Sequence, residues 1–571
     1  MRRFVSVFGS MALVVAACGT QGPTGGQQTP GTADTPVPGG RIVRAATGDP
    51  KSFNPIIVTD TTSYLYTGQV YYSLLTRDPK TGELTGSLAQ KWGLSADGLT
   101  VTYTLRDNLV WSDGTPFTGD DYKYSAEAVM RSKRTTRQNT FANVQGAQEY
   151  KEGKADQISG IQVKDGGKTI EIKLAKTLCP AIENLADPTS GGILPSKHFK
   201  QYFDPRTTDT SKTIDDNPLN MAPPASMGPW IFKDFKAGDR ATYTKNPKFY
   251  RGEPLIDELV IKVYSDVAAI KAALLVGEVT FGSSTPQDFD ELSKAESLRG
   301  FEFPDYGWTY LGWNPDAPKA PWLANKLVRQ AMWYGLDRKA IIDKIVFGHG
   351  KLLYSAQPPA SIASYKDDDL NHYDFDPKKA KALIEQAGAK MGPDGIYRWT
   401  DGTPMKMRIE TNQPNPVRET ILQLAQDQYK AVGMQIDPIL ESFNTLLERI
   451  RCCGNDFEGW VSGFTGVGPD PDQEDLWHSK HIAANEFNRW RYRSPAADKL
   501  LDQIHNGPDC SEATRNKLAH DIDKLINEDV PVVFIYSPNT IVFANKALVN
   551  FAPTASQPSS TYNIEKWWFK K

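Results

Sequence analysis

The side chain in this sequence with the plainest chemical opportunity is the thiol of Cys18. It follows Ala16 and Ala17, at the end of fourteen largely apolar residues, Phe4 to Ala17, which are preceded by Arg2 and Arg3. A positive start, an apolar run and small residues at the end are the parts of a secretory signal. The run of 14 residues is shorter than the roughly 20 that span a bilayer. A thiol just after the cut is placed to carry acyl chains, each buried CH₂ adding about 0.8 kcal/mol of membrane affinity. Gly19 to Gly40 is rich in Gly, Pro, Thr and Gln, too poor in apolar groups to order, and reads as a flexible tether.

Other reactive residue types do not assemble into a reaction centre. His478 and His481 in WHSKH share a helical face, but the chain has only seven His and no Cys/His cluster, so no specific metal site is expected. His198 in LPSKHF reads as structural. The GGKT run fails as a phosphate loop, because Gln162 stands where the first Gly is needed and a strand follows. Carboxylate pairs mean little in a chain with 68 acids. There is no G-x-S-x-G elbow, no H-E-x-x-H and no S-x-x-K with its companion motifs. No catalytic residue and no cofactor are expected, and an exported hydrolase or a purely structural lipoprotein are the rival classes. Cys179, Cys452, Cys453 and Cys510 remain for one or two disulfides whose pairing is open; adjacent Cys452 and Cys453 bond to each other only with strain.

Net charge is −3, from 65 basic and 68 acidic residues, and no basic run occurs, which argues against a nucleic-acid partner. The 13 Trp and 23 Tyr exceed what a core requires and suit a wet binding surface. About 530 residues follow the tether, enough for two or three lobes. The elements are α/β. A strand in GGRIVRAATGD is followed by a helix over Ser63–Leu75. TVTYTL alternates as a half-buried strand, Asp97-Gly98 and Asp113-Gly114 are turns, and Asp120 or Asp121 caps a helix through Met130. IQVKDGGKTIEIKL is a hairpin, LVIKVYSDVAAIKAALLVGEVTFG a crossover, and KLVRQAMWYGLDRKAIIDKIVFG two helices. DPKKAKALIEQAG and RETILQLAQDQYKAVG end at Gly388 and Gly433, and RNKLAHDIDKLINEDVPVVFIYS is helix then strand.

V15-A16-A17-C18 resembles the bacterial lipobox. GSLAQKWGLSADGLTVTYTLRDNLVWSDGTPFTGDDYKYS resembles the signature segment of the family 5 extracellular solute-binding proteins, the peptide and nickel receptors of ABC importers. The likeness continues through MGPWIFKDFKAGD, NPKFYRGEPLIDELVIKV, VRQAMWYGLDRKAIIDKIVFGHG, DFDPKKAKALIEQAG, GFTGVGPDPDQEDLWHS and RNKLAHDIDKLINEDVPVVFIY, in the family's order. The resemblance implies a type II periplasmic-binding-protein fold, bilobal with an extra hairpin-rich third lobe. The boundaries it implies are a signal peptide over 1–17 and a tether over 18–40. Lobe I would cover 41–302 with lobe II inserted at about 72–195, lobe III 303–527, and a return to lobe I 528–571, with two strands as the hinge. The expected protein is a monomeric, extracytoplasmic receptor, lipid-anchored through Cys18, that closes on an oligopeptide or similar solute and delivers it to membrane permease subunits.

The resemblance also implies site residues. Members that hold short peptides receive the α-ammonium on an Asp in G-W-x-x-D; here the stretch is G463-F464-T465-G466-V467, so that position falls on Val467, with Asp470 and Asp472 as substitutes just beyond. The dipeptide members' carboxylate Arg precedes a P-N-x-x-R run, here P414-N415-P416-V417-R418, and its position lands near Glu410. With both clamps missing, a longer peptide or a neutral solute such as an oligosaccharide fits better than a dipeptide. The aromatic candidates for the cleft are Phe443, Trp460 and Phe464, the last where the family places a tryptophan, with Tyr306, Trp308 and Tyr310 near the hinge. Trp567 and Trp568 are core or surface.

Overall fold

The computed structural model describes residues 35–571, apart from 59, 190, 207–208, 210, 362, 364–368, 452–455, 465–469, 484–485 and 555–561. The signal segment, Cys18 and most of the tether, together with Cys452, Cys453 and Val467, lie outside the described residues. Strand β1 covers Arg41–Ala46. The insertion supplies β2 (Ala89–Leu94), β3 (Thr100–Leu105), β4 (Ile161–Lys164) and β5 (Thr169–Lys173), paired in the order β2-β3-β5-β4. Its turns at Gly98 and Gly114 have φ of +70° and +90°, a conformation glycine adopts without a Cβ clash. Strands β6 (Trp230–Lys236), β7 (Arg240–Lys245), β8 (Glu258–Val263) and β9 (Phe281–Ser283) join β1 in the order β9-β1-β8-β7-β6. The order is mixed: β1 is parallel to β8 and β9, whereas β7 and β6 are antiparallel additions.

The second half of the large sheet is built from β10 (Leu298–Pro304), β11 (Trp308–Trp313), β12 (Lys406–Gln413), β13 (Gln435–Ser442) and β14 (Gly459–Phe464). The order there is β13-β12-β14-β11. Strand β15, Val532–Asn545, belongs to both halves. Its start pairs with β11 through Val532 to Tyr536. Its end pairs with β10 from Asn539 and with β9 at Val542–Ala544. The chain therefore crosses twice between the halves, at 305–307 and at 537–538. The crossings are tied to each other: Asp305 N donates to Pro538 O at 3.0 Å and Ser537 Oγ to Gly307 O at 2.9 Å.

Three hydrophobic clusters follow from this layout. The largest runs from Ile42 and Phe53 through the insertion (Tyr103, Trp111, Ile170) to Trp567, so lobe II shares lobe I's core. A second runs from Trp308 to Tyr536 and takes in the first residues of β15 along with the rest of lobe III. A third, small one packs α3 (Val267–Leu275) and Phe543 on the opposite face of β1. Alternation along β1 explains how one strand serves two cores: Ile42 and Ala46 enter the first and Ala45 the third.

Local expectations fare unevenly. Helix α1 covers only Thr61–Thr67, capped by Asp60 at Ser63 N and closed at Gly68; the periodicity to Leu75 comes from turns that turn Val70, Tyr71 and Leu74 into the core. Helix α2, Gly119–Arg131, is capped by Thr118, with Asp121 completing a capping box rather than capping by itself. The other helices of use below are α4 (Pro416–Ala431), α5 (Phe443–Arg451), α6 (Pro495–Asn506) and α7 (Glu512–Asp529). Gly388 and Gly433 follow their helices with positive φ.

The pairing left open in the sequence is Cys179 with Cys510. It joins lobe II, whose Leu178 is in the first core, to the loop between α6 and α7 of lobe III. Hydrogen bonds run alongside: Cys179 N to His505 O at 2.8 Å and Thr177 Oγ1 to Asn506 O at 3.0 Å. His505 Nδ1 meets Asp472 Oδ2 at 2.6 Å. Burial opposes the imidazolium, but the bond to Asp472 and its charge outweigh burial and raise His505 above the ordinary histidine value. Such a raised histidine adds stability that is complete below about pH 6.5 and fades as pH rises through the folded-state value.

Two outcomes are expected. A disulfide closing 331 residues removes unfolded-state entropy worth on the order of 5 kcal/mol, so Cys179→Ser with Cys510→Ser lowers the calorimetric melting midpoint by several degrees. An unchanged midpoint would show that the two thiols do not bond. The fall in midpoint between pH 6 and pH 8 is smaller in His505→Gln than in the parent; an equal fall removes His505–Asp472 as its source.

Candidate functional site

Lobe I carries a cavity of about 560 Å³ at the carboxyl ends of β1 and β9, the position where open α/β sheets take ligands. Its lining comes from four elements: Arg44 to Thr47 at the end of β1, Thr62 to Leu65 on α1, Val267 and Ile270 on α3, and Ser283 to Thr285 after β9. The cavity borders the crossing strand, since Ser284 N donates to Ile541 O at 3.1 Å. Tyr64 is fixed by its hydroxyl bond to Val58 O at 3.0 Å and by the Arg137 guanidinium 5.4 Å over its ring. The lining mixes apolar and hydroxyl side chains, and among the described residues the one ionisable side chain in it besides the Tyr64 phenol is Arg44.

On the lobe III side the sequence candidates separate. Trp308 is 1% exposed. It stacks on Phe464 with ring centroids 5.5 Å apart and on Trp477 at 6.3 Å, with Trp490 tilted against it at 5.8 Å. Tyr310 and Trp460 are as deeply buried, and Trp460 Nε1 donates to Tyr310 Oη at 2.9 Å. These three rings, expected as cleft contacts, are core of lobe III. The cause is strand geometry: β11 lies between β14 and β15, and every residue from Trp308 to Trp313 is buried. Phe464, at the outer end of the stack, is half-buried and also meets Phe487 edge-on at 6.2 Å. Phe443 begins α5 and is 46% exposed. Tyr306 sits in the first crossing, half-buried.

The proposed substitutes for an ammonium clamp are engaged elsewhere. Asp470 receives both arms of Arg515, at 2.8 and 2.5 Å. Asp472 is bound to His505 and caps Glu474 N at 3.0 Å. Both carboxylates brace the start of the 474–477 helix against α6 and α7. Glu410, near the position of the dipeptide members' arginine, is fully buried beside Arg449. Burial and a hydrogen bond with Glu441 raise it to about 7. Arg418, by contrast, holds Asn412 Oδ1 at 2.6 Å, and burial lowers it below the usual arginine value.

Among the described residues one group has metal-ligand geometry: Glu474, His478 and Asp502 place donor atoms within 4.8 Å of one another. Its chemistry does not favour an ion. His478 Nδ1 accepts from Lys480 N at 3.1 Å, which leaves Nε2 as the protonated nitrogen facing Asp502 at 3.4 Å. Glu474 is already shared by Lys480 and His481. His198 bonds Asp113 Oδ2 at 2.8 Å. The sequence reading passed over Arg44, Arg418 and the Cys179–Cys510 link; a charged residue inside the apolar register RIVRAA was the legible signal for the first.

The profile described as bacterial extracellular solute-binding proteins, family 5 Middle, matches residues 83–481, more than half of the chain. The oligopeptide-binding protein AppA of Bacillus subtilis is 27% identical over 569 residues, covering 99% of this chain and 98% of that protein. The structure of AppA in complex with a nonapeptide superposes with a TM-score of 0.76, covering 94% of this chain and 100% of that one. The ABC transporter substrate-binding protein CtaP of Listeria monocytogenes, 23% identical, has the same fold, with a TM-score of 0.78 over 94% of this chain and 100% of its own. With two halves of one sheet joined by paired crossings, and a matching profile across its middle, this chain belongs to the family 5 bacterial extracellular solute-binding proteins.

Proposed function

We propose that this protein is the solute receptor of an ABC importer, held outside the cytoplasm by a lipid on Cys18, and that it captures an oligopeptide by closing lobe I and lobe III around it. The observation that carries this reading is the pair of crossings at 305–307 and 537–538 beside the lobe I cavity. Two lobes joined through so few residues close by small backbone rotations at the joint. A monomer suffices, since both walls come from one chain. Similarity to AppA, whose structure holds a nonapeptide, favours a peptide longer than two residues. The engagement of Asp470, Asp472 and Glu410 inside lobe III points the same way, because a dipeptide needs both of its charges met within one short cleft. An oligosaccharide has less support: Trp308, Tyr310 and Trp460, the rings that would stack on sugars, are core.

Peptides from two residues upward and oligosaccharides are to be compared by thermal shift. A ligand at a hundred times its Kd that binds only the folded state adds about 2.7 kcal/mol, so longer peptides raise the midpoint and dipeptides and sugars leave it unchanged. A rise with sugars alone overturns the peptide reading. Cys18→Ala moves the protein from the membrane to the soluble fraction; continued membrane fractionation would show that another segment is the anchor.

A further inference from the structure

Arg44 is a charge without a partner. It lies on the face of β1 that Ile42 and Ala46 turn into the first core, and it is 8% exposed. Its Nη1 is buried with no hydrogen-bond acceptor, and among the described residues no carboxylate forms an ion pair with it. Its neighbours are neutral: the Phe281 ring 5.5 Å from the guanidinium carbon, and the phenols of Tyr66 and Tyr243. Neither phenol offers an anion. Tyr66 donates to Gly48 O at 2.9 Å and Tyr243 to Tyr66 O at 3.3 Å, and burial raises both phenols. Burial lowers Arg44 to about 10, so it still carries its charge at neutral pH.

A buried ion with no counter-charge is costly, and folded proteins keep one where a partner arrives later. Arg44 is among the residues that line the 560 Å³ cavity of lobe I, which falls in the size range of small-ligand sites, roughly 300–1,000 Å³. The hydroxyls of Thr47, Thr62 and Ser283 share that lining, and among the described residues they make no side-chain hydrogen bond. The lining contains no acid to compete. A planar guanidinium fork with free hydroxyl donors beside it matches a carboxylate, which accepts two parallel N–H bonds and has lone pairs left for the hydroxyls.

We propose that Arg44 holds a carboxylate of the captured solute from the lobe I wall, so that the ligand is an acid. This rests on the receptor reading above and adds the ligand's charge and the lobe that reads it. The carboxylate is either a peptide's C-terminus or an acidic side chain; both present the same group to Arg44.

The test compares the parent with Arg44→Met, and with Arg44→Lys as a variant that keeps the charge but loses the fork. Calorimetric titration uses neutral-side-chain peptides as free acids and as C-terminal amides, amides carrying one Glu, and glutarate as a carboxylate outside the peptide class. In the parent, removing every carboxylate weakens binding at least tenfold, and Arg44→Met weakens the acids by a similar factor while changing the carboxylate-free amides far less. Free acids bound more tightly than Glu-bearing amides assign the C-terminus, and the reverse assigns the side chain. Arg44→Met without ligand melts no lower than the parent, because it removes an uncompensated charge; a lower midpoint together with unaltered acid affinity would make Arg44 a structural residue and overturn the proposal. Carboxylate-free amides bound as tightly as acids by the parent overturn it while the receptor reading stands. Glutarate binding that depends on Arg44, with no peptide bound, supports the proposal and removes the peptide reading. If no carboxylate binds, or if only inorganic phosphate does, the proposal is overturned.

Discussion

One strand holds the two lobes in a single sheet. The first residues of β15 pair with β11 in lobe III, and its last residues pair with β9 and β10 in lobe I. Its bonds cannot be given up without opening both cores, because Val533, Phe534 and Ile535 belong to one and Val542 and Ala544 to the other. Between these stretches lies Ser537–Asn539, bonded to the neighbouring crossing at Asp305 and Gly307. On the receptor reading, any rotation between the lobes falls on these few residues. The Cys179–Cys510 link adds a third point of attachment between lobe II and lobe III, so whatever motion occurs must keep those two residues together.

Much of the fold was legible because it depends on local signals. Strict alternation in TVTYTL gave β3, glycines 388 and 433 ended their helices, and the strand after DVPVV is β15. Local signals failed where tertiary packing decided. The apolar spacing after Ser63 suggested a longer helix, but Gly68 stops it and the core takes Val70 and Leu74 from turns. Asp120 and Asp121 both looked like caps; Thr118 does that work, and Asp121 returns the bond.

The site was less legible, and for a physical reason. An aromatic residue in a sequence does not declare whether it faces a ligand or a neighbour, so Trp308 and Tyr310 near the hinge and Trp460 in lobe III read as cleft candidates, while β11 and its neighbour β14 bury them in the sheet. Asp470 and Asp472 sit in a turn-forming PDPD, yet their partners Arg515 and His505 lie far along the chain and only folding brings them together. The same holds for Cys179 and Cys510, 331 residues apart. Arg44 is the instructive exception. Its place in an alternating apolar strand already put a charge on the core side, and the structure adds that no acid among the described residues pairs with it.

Desolvation then links these parts into one mechanism. On the proposed reading, a solute entering the lobe I cavity would exchange water for hydroxyls, apolar walls and Arg44, and closure about the crossings would remove the water that remains. The proposed sequence requires no bond in the solute to be made or broken. Small-angle scattering on the purified protein, with and without a saturating long peptide, tests that claim most directly when the peptide is afterwards recovered and weighed. The account predicts a smaller radius of gyration in the loaded state and an intact peptide. Scattering unchanged by a bound peptide, or a peptide returned in pieces, would contradict it.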